Sequence, residues 1–424
     1  MNKKKDISLL YYFISLTGLV LWMLSFTKYR DLSYNPFLWT FSGMLFITPM
    51  FVLGRNSEDR INNILSKYIP LIASVLFLIA SYVIFNSVYD LLSNHPNYRT
   101  GSDVIPSLET YVKRFLGGEK VYVEIPYANY FIKPTYFPGM WMPYIIPELI
   151  GFDYRYMALG SFLVVYFGTG IYYLKKNPSL IQTFVIAILP VLFLLWLVHY
   201  DKSAILYSTE LMPLVFYMLL ILGLTQKKWL LIGISIGLCT MSRYSYSLFI
   251  IPFIFIIWKE WGFKNLFKIG VSGLSVIILI YILPFFIHEP AILTNGFEYY
   301  SQTISDQWRV QSWQPENSIP YHLNNGLSFS YYFYTLIEGD LDKKLDFAKI
   351  FNLVASLVTA IGIALVWLKF KNKERWNIYL VNGLILYLIV FYSFLYVPFS
   401  YLFILPLGLG LTAFCINGHR SLKI

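Results

Sequence analysis

The sequence predicts an all-α polytopic membrane protein with about twelve transmembrane helices and two large outer loops that carry short surface helices. Three observations predict it. Apolar residues make up 57% of the 424 residues and charged residues only 13%, roughly half the charged share of a globular chain. Apolar runs of about 20 residues, the length a hydrocarbon core demands of a helix, recur from end to end. The charges also segregate by side when those runs are alternated across a bilayer. A β-barrel would show alternating segments of about 10 residues instead.

In chain order the runs are 7–26, 36–54, 69–89, 156–174, 179–198, 205–224, 229–242, 245–258, 267–287, 350–368, 377–396 and 400–416. The first follows Lys3-Lys4-Lys5. It is too long for the apolar part of a signal peptide and lacks a small-residue cleavage site, so it reads as a helix. The chain then divides into an N-terminal hairpin (1–68), a core (69–287) containing a first long loop (90–155), a second long loop (288–349) and C-terminal helices (350–424). The hairpin reads as a separable addition, because the loop with Asp103 follows the third run. Cys239 and Cys415 both fall inside apolar runs, which leaves no disulfide framework or CxxC site.

Starting from a cytoplasmic N-terminus, alternation puts both chain ends inside and both long loops outside. The inner segments then hold 19 basic and 5 acidic residues and the outer ones 14 and 18, balances of +14 and −4 that make up the net +10. Anionic headgroups account for such a surplus, and a nucleic-acid partner gains nothing from it. Inner links are short and carry no GxxxxGK[ST] phosphate loop, so chemistry driven by a cytosolic nucleotide has no visible site. Nor does an inverted repeat of the transporter kind stand out. The expected location is a plasma (inner) membrane, with the working face outside.

Chemistry is expected in Gly101 to Gly139, the long polar break. Asp103 opens an amphipathic stretch in which Val104, Ile105, Leu108, Tyr111, Val112, Phe115 and Leu116 recur at helical spacing. Glu109, Lys113 and Arg114 fall on the other face, and Gly117-Gly118 ends the helix. Asp is among the best N-caps, which is the bland role for Asp103. Pro106, however, removes one of the N–H groups that a cap uses. A carboxylate on an outer loop is also placed to act as a general base for a hydroxyl. Asp90 competes with it but reads as a helix-end residue, with His95 and Arg99 as solvated neighbours.

Arg243 lies between two short apolar runs. An arginine at membrane depth is costly and points to an aqueous cavity or an anionic partner, snorkelling being the alternative. Its fork matches phosphate oxygens. In His199-Tyr200-Asp201-Lys202, His199 and Lys202 are candidate phosphate contacts, unless the loop is an ordinary hairpin with Asp201 paired to Lys202. Glu210, read as one or two turns inside the next run, needs a partner, for which Lys202 and Arg243 are candidates. The second long loop is rich in aromatics and amides, among them Tyr300, Gln307, Trp308 and Arg309, a composition suited to sugars and also to any membrane interface. Its histidines, with those elsewhere, are too dispersed for a HExxH site, so no metal is expected.

Three patches carry a resemblance: SDVIPSLETYVKRFLGGEKVY, PTYFPGMWMPYIIPELIG and GLCTMSRYSYSLFIIP. With the topology, they resemble the integral-membrane glycosyltransferases of the GT-C fold, most nearly the branch that uses polyprenyl-phosphate mannose. The resemblance implies Asp103 as catalytic base and Arg243, with Lys202 and His199, on the donor phosphate. It puts Tyr136, Glu210, Trp308 and Arg309 among the substrate contacts. A hexose such as mannose would move, with inversion, from a polyprenyl-phosphate sugar to a hydroxyl of a lipid or glycan, with no cofactor beyond that co-substrate. The departure is the N-terminal hairpin, since the acidic loop of such enzymes usually follows the first span. A polysaccharide polymerase or ligase is the nearest alternative, although paired Arg-rich outer loops are missing. A transporter would string ionisable residues through several runs, whereas here they crowd the loops.

Overall fold

A computed structural model describes residues 3–25, 34–53, 69–95, 101–127, 130–174, 180–316, 318–324, 326–369, 375–397 and 399–417. Arg99 lies outside them. The described chain is nearly all-α, and a helix lies on each predicted apolar run. The helices are α1 (Lys3–Ser25), α2 (Asn35–Leu53), α3 (Ile69–Ser93), then α4 (Val104–Leu116) in the first long loop. A two-stranded antiparallel hairpin, β1 (Ile125–Tyr127) and β2 (Tyr130–Ile132), follows, with Tyr127 opposite Tyr130. Short helices α5 (Pro138–Trp141) and α6 (Ile145–Ile150) lead back to α7 (Tyr154–Leu174), α8 (Leu180–Tyr200), the single turn α9 (Lys202–Leu206) and α10 (Leu211–Gln226). After α11 (Trp229–Thr240), α12 (Ile250–Trp261) and α13 (Phe263–Ile277), the second long loop holds α14 (Ile292–Gln307), α15 (Tyr321–Asn324) and α16 (Ser330–Leu336). The chain closes with α17 (Leu341–Lys369), α18 (Trp376–Ser393) and α19 (Ile404–Asn417).

Among the described residues four helices are long and apolar enough to cross a membrane: Ser74–Ser93, Phe263–Phe286, Leu341–Lys369 and Trp376–Ser393. They do not occupy equivalent places. The best apolar window is 89% buried in Trp376–Ser393 but only 22% buried in Phe263–Phe286. Hence α18 is the hub of the bundle, while α3, α13 and α17 turn apolar residues such as Leu78, Leu274 and Val358 outward. An apolar helix face turned outward fits lipid better than water.

Side-chain amides and hydroxyls tie the hub to its neighbours. Asn382 donates to the Met50 carbonyl at 3.0 Å, Asn352 donates to that of Phe391 at 2.7 Å, and the Tyr379 hydroxyl donates to Ile363 at 2.8 Å. Elsewhere close approach depends on small residues. Gly233 and Gly237 on α11 face Ser272 and Gly273 on α13, and a Cβ added at Gly237 would come 2.7 Å from the Gly273 carbonyl oxygen. Small residues four apart let membrane helices pack backbone to backbone.

Three prolines shape helix ends. Pro213 has no N–H and would clash with the Thr209 carbonyl in a continuous helix, so α10 starts at Leu211 rather than near 205. Pro252 acts likewise, and Tyr244–Phe249 winds as a 3₁₀ segment before α12. Pro284 widens the end of α13 into a π-type stretch, Ile278–Phe286, in which the Ile287 N–H reaches back to Ile282. Glu210 is therefore not inside a helix. It stands at the N-cap position of α10.

Two other expectations change. The N-terminal hairpin is built into the bundle: Trp22 and Trp39 are fully buried, Trp39 meets Phe403 edge-on at 4.9 Å, and Thr40 and Ser393 share a hydrogen bond of 2.7 Å. Helix α4 is packed within the protein over most of its length. Even Glu109, expected on its polar face, is buried. Lys113 stays exposed, 3.9 Å from Glu148. The Arg114 guanidinium donates to the carbonyls of Val123 at 2.7 Å and Glu124 at 3.1 Å, folding the following loop back over the helix.

Candidate active site

Both ends of the Gly101 to Gly139 stretch are fastened to the chain near Glu210 and Arg243. A side chain at Gly101 would run into the ring of Tyr207, and the Ser102 hydroxyl donates to the Tyr207 carbonyl at 3.3 Å. At the other end the Gly139 N–H donates to the Met241 carbonyl at 2.8 Å. A Cβ on Gly139 would lie 2.5 Å from that oxygen and 3.1 Å from the Ser242 nitrogen. We therefore expect Gly139→Ala to cost about 1–3 kcal/mol, as overpacking against backbone does. Thermal unfolding in detergent checks it; an unchanged midpoint would mean that the loop is not held there.

Asp103 occupies the N-cap position of α4, yet its side chain makes no capping bond. The Ser102 hydroxyl accepts from the Val104 N–H at 3.2 Å instead. Freed from that task, the Asp103 carboxylate accepts from the Tyr130 hydroxyl at 3.3 Å. Burial pushes the Asp103 carboxyl above the usual range, opposed by the Tyr130 hydrogen bond and by the residue's own backbone. Burial likewise raises the Tyr130 phenol, with the Asp103 charge adding to it.

Glu210 and Arg243 form a salt bridge, in which a guanidinium N–H meets Glu210 Oε1. The Glu210 side chain is 2% exposed and that of Arg243 18%. Glu210 Oε2 and Arg243 Nε are buried without a hydrogen-bond partner. Of the two cations expected for Glu210, the structure gives it Arg243. The carboxylate holds Nη2 of the guanidinium, and the neighbouring Nε has no partner.

Arg243 lines a cavity of about 110 Å³ together with Tyr136, Tyr300, Gln307, Phe399 and Tyr401. Its wall comes from the first long loop, the turn before α12, α14, and the link between α18 and α19. Asp103 is not part of the lining. Tyr136, on the same loop as Asp103, lines the cavity beside Arg243. Burial raises the Tyr136 phenol well above its ordinary range, Asp103 adds to the rise and Arg243 opposes it.

The remaining expected residues are placed differently. Lys202 and His199 are exposed, His199 meeting Tyr200 edge-on at 4.7 Å, and neither lines the cavity. Asp201 accepts from the Ser203 hydroxyl. Trp308 is fully buried, its indole N–H donating to the Tyr396 carbonyl at 2.8 Å, so it is a structural pin and not an open stacking face. Arg309 is exposed, 3.9 Å from Asp306, a surface pair of little energetic weight. Asp90 stays within α3, and the His95 carbonyl accepts from Arg155 at 3.0 Å.

Sequence reasoning did not single out Tyr130 or Tyr401. It named Tyr300 and Gln307 only as members of a biased loop. One local signal was present: Tyr300, Thr303, Ile304 and Gln307 follow the i, i+3, i+4, i+7 spacing of a helical face, and all four line the cavity. Set against known protein families, characterised proteins and solved structures, the chain matches none of them.

Proposed function

We propose that this protein is a membrane glycosyltransferase of about twelve spans, moving a hexose from a polyprenyl-phosphate donor to a hydroxyl of a lipid or glycan at the outer face. One observation carries the reading. A paired arginine lines a cavity walled by Tyr136, Tyr300 and Tyr401, and the loop that supplies Tyr136 also carries Asp103. Tyrosine faces suit the C–H surfaces of a sugar, and a guanidinium edge suits its phosphate.

In this reading the donor occupies the cavity side and the acceptor approaches from the hairpin carrying Tyr130. The acceptor oxygen bonds to the anomeric carbon as its proton passes to the Asp103 carboxylate. The bond from that carbon to the phosphate oxygen breaks, and the electron pair stays on the phosphate. Arg243 meets the charge that grows there, held in orientation by Glu210. Lys202 and His199, being exposed, could help to collect an anionic headgroup. The lipid chain would lie along the outward apolar faces.

The base must be ionised, so transfer should fall as pH drops through the raised pKa of Asp103, above the value of about 3.9 for an ordinary Asp. Tyr130→Phe removes a hydrogen bond that favours the charged form. Its acid limb is therefore expected at higher pH than the wild type's, read from the pH profile of kcat/KM. A shift to lower pH would contradict this role.

The reading as a whole is tested by extracting the lipids that co-purify with the protein and identifying them by mass spectrometry. A polyprenyl-phosphate hexose, transferred by the reconstituted protein, is the expected result. A bound ion or free solute in its place would overturn it in favour of transport.

A further inference from the structure

We infer that the cavity lined by Arg243 is a hexose subsite in which Gln307 reads one sugar hydroxyl; this rests on the glycosyltransferase reading. The polar groups of the wall sort into those already engaged and those still open. The hydroxyls of Tyr244 and Tyr300 hydrogen-bond to each other, and that of Tyr396 joins them. Ser245 is bonded to the Tyr217 hydroxyl at 3.0 Å. By contrast, Gln307 Oε1 and Arg243 Nε are buried and have no hydrogen-bond partner. Buried polar atoms are nearly always satisfied, by protein, water or ligand, so two orphan atoms on residues that line one cavity call for a ligand.

The two open groups ask for different chemistry. Arg243 Nε is a cationic donor and suits the phosphate. A neutral amide oxygen repels phosphate and accepts from a hydroxyl. A ligand with an anionic end and a hydroxylated end satisfies both, as a sugar phosphate does. At about 110 Å³ the space is close in scale to the roughly 150 Å³ that holds one benzene ring. It therefore has room for no more than one ring, and a lipid chain must lie elsewhere.

Gln307 is also held in place, as a specificity residue must be. It is the last residue of α14, and the next residue is the buried Trp308, pinned to the Tyr396 carbonyl at 2.8 Å. Tyr300, two turns earlier on the same face, is pinned through Tyr244. The amide thus sits between two fixed points, so its position relative to a ring is set before the ligand arrives. Equatorial and axial hydroxyls at the carbon it faces would then be told apart, because only one of them reaches the oxygen.

The test uses the full chain in lipid nanodiscs and short isoprenyl phosphates carrying mannose, glucose or galactose, with the sugar-free isoprenyl phosphate as reference. Binding is read as the shift in melting temperature with probe concentration. Wild type is expected to bind one hexose probe at least about tenfold more tightly than the others. Gln307→Met should bind the three within about threefold of one another and retain its affinity for the sugar-free phosphate. Its own melting temperature should match or exceed that of wild type, since a buried orphan oxygen has been removed. Gln307→Glu keeps an acceptor oxygen and should keep the preference. If Gln307→Met discriminates as wild type does, or loses discrimination only with a lower melting temperature, the role of Gln307 is overturned while the glycosyltransferase reading stands. If the wild type binds none of the four probes, that reading fails as well.

Discussion

Asp103→Asn is expected to lower sugar transfer by about 10²–10⁴-fold, the usual weight of a positioned general base, without lowering stability. The stability half follows from the raised pKa. Folding favours the protonated carboxyl, so that contribution is present below the unfolded value of about 3.9 and is lost as pH rises through the folded one. At neutral pH the ionised, partly buried carboxylate is therefore a cost. Asparagine has no charge to desolvate, and it can still accept from Tyr130. The variant should melt at or above the wild-type temperature while transfer collapses. Full transfer by Asp103→Asn with a lipid-linked donor would falsify the assignment of the base. Loss of both activity and stability would instead make Asp103 structural.

The second large effect concerns the Glu210–Arg243 pair. Arg243→Ala leaves Glu210, 2% exposed, as a buried charge without its counter-ion. Breaking such a pair from one side costs about 3–5 kcal/mol. Transfer should also fall by about 10²–10³-fold, from loss of the cation that faces the leaving phosphate. The two effects separate in the double variant Glu210→Gln/Arg243→Gln. With both charges gone the desolvation cost is gone too, so the melting temperature should return close to wild type while transfer stays low. Glu210→Gln alone keeps an acceptor for the guanidinium and leaves a less neutralised cation, so the KM for the donor should fall. A double variant that regained transfer would remove Arg243 from the phosphate. Melting curves in detergent, together with initial rates in liposomes, read all of these outcomes.

Much of the fold was legible because it depends on local properties of the chain. Apolar residues crowded into runs form helices wherever they end up, and each run carries one. The errors at helix starts were legible too, since Pro213 and Pro252 each forbid a continuous helix through the turn before them. Asp103 could be doubted as a cap from Pro106 alone, and the structure gives its carboxylate to Tyr130. Other features were beyond reach. Trp308 and Arg309 are adjacent in sequence, yet one is sealed in the core and the other is in solvent, which depends on where α14 meets the link after α18.

By itself, then, the sequence determined a helical chain with membrane-like apolar runs, a polar break from Gly101 to Gly139, and the two residues, Asp103 and Arg243, worth following. Only the tertiary structure decided that both ends of that break are fastened near Glu210 and Arg243, that Glu210 pairs with Arg243 and not with Lys202, and that Gln307 and Tyr401 share a cavity with Arg243. The physical reason is range. Hydrophobic periodicity and proline geometry act over a few residues and can be read in order. A buried ion pair and an orphan amide oxygen exist only once helices distant in sequence have closed around them and excluded water.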